Sequence, residues 1–225
     1  MIDVKKIKIN EVVVTENFKP KSVLAVGPHP DDIEFGCGGT LHKYSAMGHS
    51  VSMMVMTRGE VGGIPEIREK ELLKSAEILG VTNVFICPFI DTKVPLTKEV
   101  ITAIEEVIKD INANYVFVNY FDDTHQDHRV TAECVISASR YIQNLLFFEV
   151  PSTQNFNPHI FSNIVDEMEI KRNSLSAHHS QVNKVNIADL SILECAEANA
   201  VFRGVQGKVK YAEAFRAQRF FINSI

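Results

Sequence analysis

The stretch "HPDD", His29 to Asp32, leaves the apolar run "SVLAV" and lies in a turn rich in Gly and Pro. One imidazole and two adjacent carboxylates are poor core material. One Asp could cap the helix that follows, with Pro30 shaping the turn. That reading leaves His29 and the other Asp idle. Neighbouring carboxylates repel each other unless a cation or hydrogen-bond donors offset the cost. A second cluster is "THQDH", Thr124 to His128. Thr124 with Asp127 three residues on has the form of a capping box. His125 and His128, three apart, face the same way on a first helical turn. On that stretch alone capping and metal binding are both open. Two His and one carboxylate brought together would make a hydrolytic zinc set that leaves positions for water and substrate.

The surrounding elements determine whether the clusters meet. Short apolar runs at 22–26, 50–57, 83–89, 115–120 and 145–150 read as strands buried on both faces. Between them, 39–48, 65–80, 97–112 and 128–144 read as helices. In the second of these Pro65 suits the first turn, Ile67, Leu72, Ala76 and Leu79 share an apolar face, and Gly80 ends it. Alternating strands and helices imply βαβ units. The predicted fold is α/β, a Rossmann-like three-layer sandwich with a mostly parallel sheet. Its active site belongs at the carboxyl ends of the strands, where both polar clusters fall. The early segment "KIKINEVVV" alternates like an extra strand. Beyond about Pro151 the pattern loosens. A strand within 161–170, a helix over 169–181 with Lys171 and His178 on nearly one face, and a helix over 187–204 are expected there.

Composition narrows the function classes. At 225 residues the chain suits one domain, 45% hydrophobic and 23% charged. The net charge of −5 and the lack of Trp argue against nucleic acid as a partner. No apolar stretch of about 18 residues predicts a membrane span. The N-terminus lacks a signal-peptide core, so a cytoplasmic protein is expected. Cys37, Cys87, Cys134 and Cys195 stand far apart, without a C-x-x-C pair, and read as small buried hydrophobes. Gly36, Gly38 and Gly39 do not form a dinucleotide fingerprint and instead suit close helix–strand packing.

"HPDD" after the first strand, with "HxDH" about a hundred residues later, resembles the PIG-L/LmbE-like family of zinc-dependent N-acetyl-sugar deacetylases. "GCGGTL", "TRGEVG", "REKELLKSAEILG", "KRNSLSAHHSQ" and "KYAEAFR" resemble further family elements in family order, from about Val23 to Phe215. Many members carry Glu directly after "HPDD"; here Ile33 stands there, with Glu34 next, and no role is assigned to Glu34. The resemblance implies one deacetylase domain over 1–225, with 1–21 an arm or extra strand and 151–225 a variable, substrate-side region. It implies His29, Asp32 and His128 as zinc ligands and Asp31 as general base on a metal-activated water. It implies that His125 stays off the metal and, protonated, stabilises the oxyanion, while Asp127 orients a histidine. Either Asp31 or His125 could protonate the leaving amine. Arg58, at the end of the second strand, could pair with Glu60 or Glu66; its place at the site's edge favours substrate binding. His178 fits the spacing of the family's "HxSQ" and is expected on the substrate side.

The expected activity is removal of the acetyl group from an N-acetylglucosamine-type sugar or glycoconjugate, in a protein that could be a homo-oligomer. Two His and a carboxylate also suit iron(II) or another divalent metal. A phosphoester or other amide hydrolase, and a non-catalytic, metal-stabilised sugar-binding protein, are the competing readings. The extra carboxylate beside an open site favours catalysis.

Overall fold

The five apolar runs form the centre of a single sheet. The computed structural model describes residues 2–11 and 19–222. In it β2 (Ser22–Gly27), β3 (Ser50–Thr57), β4 (Asn83–Phe89), β5 (Tyr115–Asn119) and β6 (Asn144–Phe148) lie parallel. Three more strands pair antiparallel: β1 (Lys5–Lys8) on β4, β8 (Ala212–Arg219) on β6, and β7 (Ile160–Asn163) on β8. The order across the sheet is β1-β4-β3-β2-β5-β6-β8-β7. The chain moves outward from β2 to β4, then returns to lay β5 against β2's other edge. The crevice beyond β2 and β5 is therefore the topological switch point, where α/β sheets place their ligands. β1 is part of the expected N-terminal strand, whose remainder reaches residues 12–14, outside the described ones.

Helices cover both faces. α1 (Asp32–Ala46), α2 (Pro65–Leu79), α5 (Met168–Ser176) and α6 (Ile192–Gly207) pack on one side. α3 (Lys98–Asp110) and α4 (Gln126–Ala138) pack on the other. Each face has its own apolar core, one holding Leu41, Leu72 and Leu175, the other Ile104, Val107 and Val135. All four cysteines are free; three are buried and Cys195 is half-buried.

Several elements differ from the sequence reading. α1 begins at Asp32, well before the expected Gly39, so the glycine run lies inside the helix. A Cβ on Gly36 would come within 2.0 Å of the Phe148 ring, so α1 sits closer to β6 than any side chain there would allow. In α2, Ile67 is 43% exposed, while Arg68, Glu71 and Ser75 are buried with Leu72, Ala76 and Leu79. The buried face of that helix is half polar, and apolar periodicity misplaces it. α4 stops at Ala138, and α5 stops at Ser176, before His178. α6 starts at Ile192 because Ser191 and Glu194 form a capping box, with Ser191 Oγ accepting from the Glu194 amide and Glu194 Oε2 accepting from the Ser191 amide.

One buried ion pair ties the C-terminal third to α1. Lys171 of α5 and Glu213 of β8 are 1% and 4% exposed and meet at 2.5 Å. Lys171 Nζ also donates to the Glu34 and Phe35 carbonyls, and Glu213 accepts from the Gly39 and Thr40 amides at 2.9 and 2.7 Å. The pair thus satisfies its own remaining hydrogen-bonding capacity with backbone groups of α1, the condition for burying two charges. Lys171→Met should cost about 3–5 kcal/mol of stability because it strands the Glu213 charge. Denaturant unfolding followed by circular dichroism measures this. The double variant Lys171→Met/Glu213→Gln should recover part of the loss, a non-additivity of about 0.5–3 kcal/mol.

Candidate metal centre

"HPDD" spans the tight passage from β2 into α1. Asp31 is the N-cap residue, yet its side chain makes no capping hydrogen bond. Its backbone is left-handed, at φ 105°. Non-Gly residues rarely adopt that region, and the cost has to be met by surrounding contacts. Arg68 of α2 supplies them: its guanidinium donates to the Pro30 carbonyl at 2.5 Å, the Gly59 carbonyl at 2.9 Å and Asp31 Oδ2 at 3.3 Å. Asp32, one residue on, turns back so that Oδ2 accepts from the His29 amide at 3.0 Å. The capping reading of this turn therefore does not describe it; both carboxylates are aimed elsewhere.

"THQDH" enters from β5. The expected cap, Thr124, donates instead to the Ser152 carbonyl at 3.4 Å. The N-cap of α4 is His125, whose Nδ1 accepts from the Asp127 amide at 3.2 Å. With Nδ1 used as an acceptor, the neutral ring carries its proton on Nε2. Burial, together with the neighbouring His29 and His128, holds the His125 pKa below its ordinary value. The Nδ1 contact leaves Nε2 as the donor nitrogen of the ring.

The two clusters meet. His29 Nδ1 lies 3.1 Å and His128 Nε2 3.5 Å from Asp32 Oδ2. Ligand atoms of His29, Asp32 and His128 fall within 4.8 Å of one another. Each imidazole is held from behind by carboxylate. His29 Nε2 faces Asp91 at 3.0 Å and Asp127 at 3.3 Å, and His128 Nδ1 faces Asp123 at 3.1 Å. Asp127 is anchored in turn by the Thr92 and Val94 amides, and Asp123 by the His125 amide and the Thr153 hydroxyl. Such carboxylate–histidine contacts orient the rings, and in metal sites they leave the other nitrogen for the ion; here that nitrogen of each ring faces Asp32. Two such histidines and a carboxylate are a fitting donor set for zinc or a similar divalent ion. A second set, His29, His125 and Asp127, also converges. Its Asp127 oxygens are already used by two amides and His29, so it has fewer free lone pairs.

Charge is arranged to match. Burial alone would raise the Asp32 carboxyl, but His128 and His29 hold it far below the usual carboxylate range. Asp31 goes the other way. Its burial pushes the pKa up to about 6, against the pull of Arg68 and with the Asp32 charge adding to the rise. Two adjacent carboxylates thus have opposite tendencies, the pattern by which enzymes divide ligand from acid/base roles. Asp31 keeps 25% of its side-chain surface open, against 13% for Asp32, so it is the more accessible of the two.

The two residues expected on the substrate side are not brought into this cluster. The Arg58 guanidinium pairs with Glu66 and Glu69 at 3.2 and 3.1 Å and is about one-third exposed. Of its expected partners, Glu66 is present; Glu60 instead accepts from the Asp91 amide at 2.8 Å. His178 is fully buried, with Nε2 2.8 Å from Glu34 Oε1, which also accepts from Ser75 Oγ at 2.7 Å. Glu34 is therefore a buried support beneath the metal loop. Sequence reasoning missed Arg68, Asp91 and Asp123 as well. Arg68 lies in "REKELLKSAEILG", and Asp123 in the acidic stretch before "THQDH"; Asp91 carried only one signal, its place just past the end of β4.

Residues 24–139 match the model of the PIG-L family, described as GlcNAc-PI de-N-acetylase. The chain belongs to the PIG-L family. It is 33% identical over 182 residues to the "Uncharacterized deacetylase YaiS" of Escherichia coli, an alignment covering 76% of this chain and 98% of that one. It is 31% identical over 189 residues to the diacetylchitobiose deacetylase of Thermococcus kodakarensis, covering 72% and 70%. Among solved structures, the N,N'-diacetylchitobiose deacetylase from Pyrococcus horikoshii, complexed with its inhibitor MPG, superposes with a TM-score of 0.76. It shares 27% identity, with 91% of this chain and 89% of that chain covered. Among the described residues, no helix is long and apolar enough to cross a membrane.

The relay gives a direct test of the metal centre. Asp123→Ala should weaken zinc binding about 10–100-fold by releasing the His128 ring. Competition with a chromophoric chelator measures this, and Asp31→Asn, at a residue outside both converging groups, should leave the affinity within a few-fold of wild type.

Proposed function

We propose that this protein is a zinc-dependent hydrolase that removes the acetyl group from an N-acetylated amino sugar of the N-acetylglucosamine type, free or in a glycoconjugate. The observation that carries the reading is the division of labour at "HPDD". The His29, Asp32 and His128 ligand atoms lie within 4.8 Å of one another, while Asp31 is held beside them, making no capping bond and keeping a quarter of its side-chain surface accessible. Two relatives with diacetylchitobiose deacetylase in their names support the substrate class.

His29, Asp32 and His128 would hold the zinc, which when bound supplies an acidified water and a Lewis acid for the acyl oxygen. Asp31 accepts the proton of the attacking water through its carboxylate, with Arg68 keeping the strained turn in place. His125 donates its Nε2 proton in a hydrogen bond to the acyl oxygen as negative charge develops there. The protonated Asp31 then serves as acid for the departing amine, while His125 keeps its Nδ1 on the Asp127 amide. Asp127 orients His29. Arg58 serves the sugar at the rim, with Glu66 as its resting partner. His178 acts on the substrate side indirectly, through Glu34. A cytoplasmic location accords with the four free thiols.

Acetate release from a panel of N-acetyl sugars tests the proposal. Chelated protein should be inactive and recover on adding zinc. Asp31→Asn should lower kcat by about 10²–10⁴-fold with zinc content unchanged. Turnover of phosphoesters without acetate release, or full activity of Asp31→Asn, would remove the deacetylase reading.

A further inference from the structure

Past its end, β6 delivers the chain to a turn that closes against the acidic stretch before α4. The Thr124 amide donates to the Ser152 carbonyl at 3.2 Å, and the Gln154 amide to the Asp122 carbonyl at 2.8 Å. Between these bonds Asp123 and Thr153 form an isolated antiparallel bridge. Asn155 Nδ2 adds a bond to Asp122 Oδ2 at 2.9 Å. The turn is thus zipped along residues 122–124, behind the His128 ring.

Within this turn the protons run one way. The Thr153 amide donates to the Val150 carbonyl at 3.0 Å, and the Val150 amide donates to Thr153 Oγ1, also at 3.0 Å. An amide only donates, so the hydroxyl oxygen is the acceptor there and its single hydrogen is left for another partner. That partner is Asp123 Oδ2, at 3.2 Å. The other oxygen of the same carboxylate accepts from the His125 amide at 2.8 Å. Asp123 is 4% exposed, so little water competes for these bonds. His128 Nδ1 meets Oδ2 at 3.1 Å. A carboxylate accepts, so the imidazole nitrogen that faces it is the donor, and in a neutral ring Nε2 keeps the lone pair. A turn that only closed β6 would need its backbone bonds and nothing more. Here the side-chain hydrogen goes to the carboxylate that holds the imidazole.

We propose that Thr153 is a positioning residue for the metal centre. Its hydroxyl, aligned by the Val150 amide, fixes the Asp123 carboxylate, which in turn sets the His128 ring with Nε2 toward the ion. This role rests on the proposed reading of His29, Asp32 and His128 as zinc ligands. It gives the segment after β6 a part in metal affinity although it supplies no proposed ligand.

Competition of the full-length protein with a chromophoric chelator for zinc tests it. Thr153→Val keeps the shape of the side chain and removes the hydroxyl. It should weaken zinc binding by about three- to tenfold, less than the loss of Asp123 itself, which is one bond nearer the ring. Thr153→Ser, which restores the hydroxyl, should bind within about twofold of wild type. Added to Asp123→Ala, Thr153→Val should cause no further loss, because its effect runs through that carboxylate. Asn155→Gly suits the left-handed backbone there, φ 47°, and removes only the neighbouring bond to Asp122. It should leave the affinity unchanged. Circular dichroism verifies that each variant is folded. Absence of zinc binding by the wild type overturns the metal reading and this role with it. Zinc binding that weakens in Asp123→Ala but not in Thr153→Val overturns the role of Thr153 alone. So does a loss in Asn155→Gly or Thr153→Ser equal to that in Thr153→Val, which would assign the effect to the turn rather than the hydroxyl.

Discussion

The position of α1 depends on a pair of opposite charges buried against its middle. Lys171 takes two carbonyls of the helix and Glu213 two of its amides, while the two side chains neutralise each other. Both residues come from the last third of the chain, which contributes no proposed metal ligand. Their effect reaches the "HPDD" turn because α1 starts at Asp32, itself one of the proposed ligands. Beneath the same turn of helix, Glu34 is held by His178 and Ser75. The C-terminal segments therefore act as a buried scaffold for a loop that would otherwise carry two repelling carboxylates and a left-handed residue. Breaking either partner of such a pair is far more damaging than its net contribution to stability, since the cost is that of an unmatched charge in a dry interior.

Around the metal centre the same economy recurs with histidine in place of lysine. Every imidazole in the cluster has one nitrogen assigned by a neighbour: His29 by Asp91 and Asp127, His128 by Asp123, His125 by a backbone amide. Three carboxylates and one N–H thus decide which lone pairs and which protons face the crevice. The adjacent residues Asp31 and Asp32 differ in backbone, partners and proton affinity although they are chemically identical. Their surroundings, not their type, separate the two roles proposed for them.

The sequence made the parallel sheet and the paired motifs legible because each rests on a local signal: apolar runs of strand length, and His and Asp at close spacing after them. The clusters "HPDD" and "THQDH" are readable in that way, the choice of His29, Asp32 and His128 within them comes from the family resemblance, and the switch point brings the three together. The support was not. Arg68, Glu71 and Ser75 fall on the inward face of α2, where periodicity expects aliphatic residues, so Ile67 was placed inside in their stead. Glu34, Lys171 and Glu213 are polar residues whose partners lie far away in sequence, and no local pattern announces a contact of that range. The start of α4 was missed for a different reason: an imidazole serves as cap, a role ordinarily taken by Ser, Thr, Asp or Asn.

The pairing of β2 with β5 has a consequence for how the protein comes together. Val23 sits opposite Tyr115, so the central seam of the sheet joins segments on either side of two intervening βα units. Such non-local parallel pairing is slow to form, because loop closure precedes any reward. The proposed metal donors sit on the two sides of that seam, so the unfolded chain would offer no preformed chelate and an ion would meet its full set of ligands only after the seam has closed. Divalent metal in the medium would then act on the end of the folding reaction, drawing the equilibrium toward the native state by about 2.7 kcal/mol at a hundredfold excess over its dissociation constant.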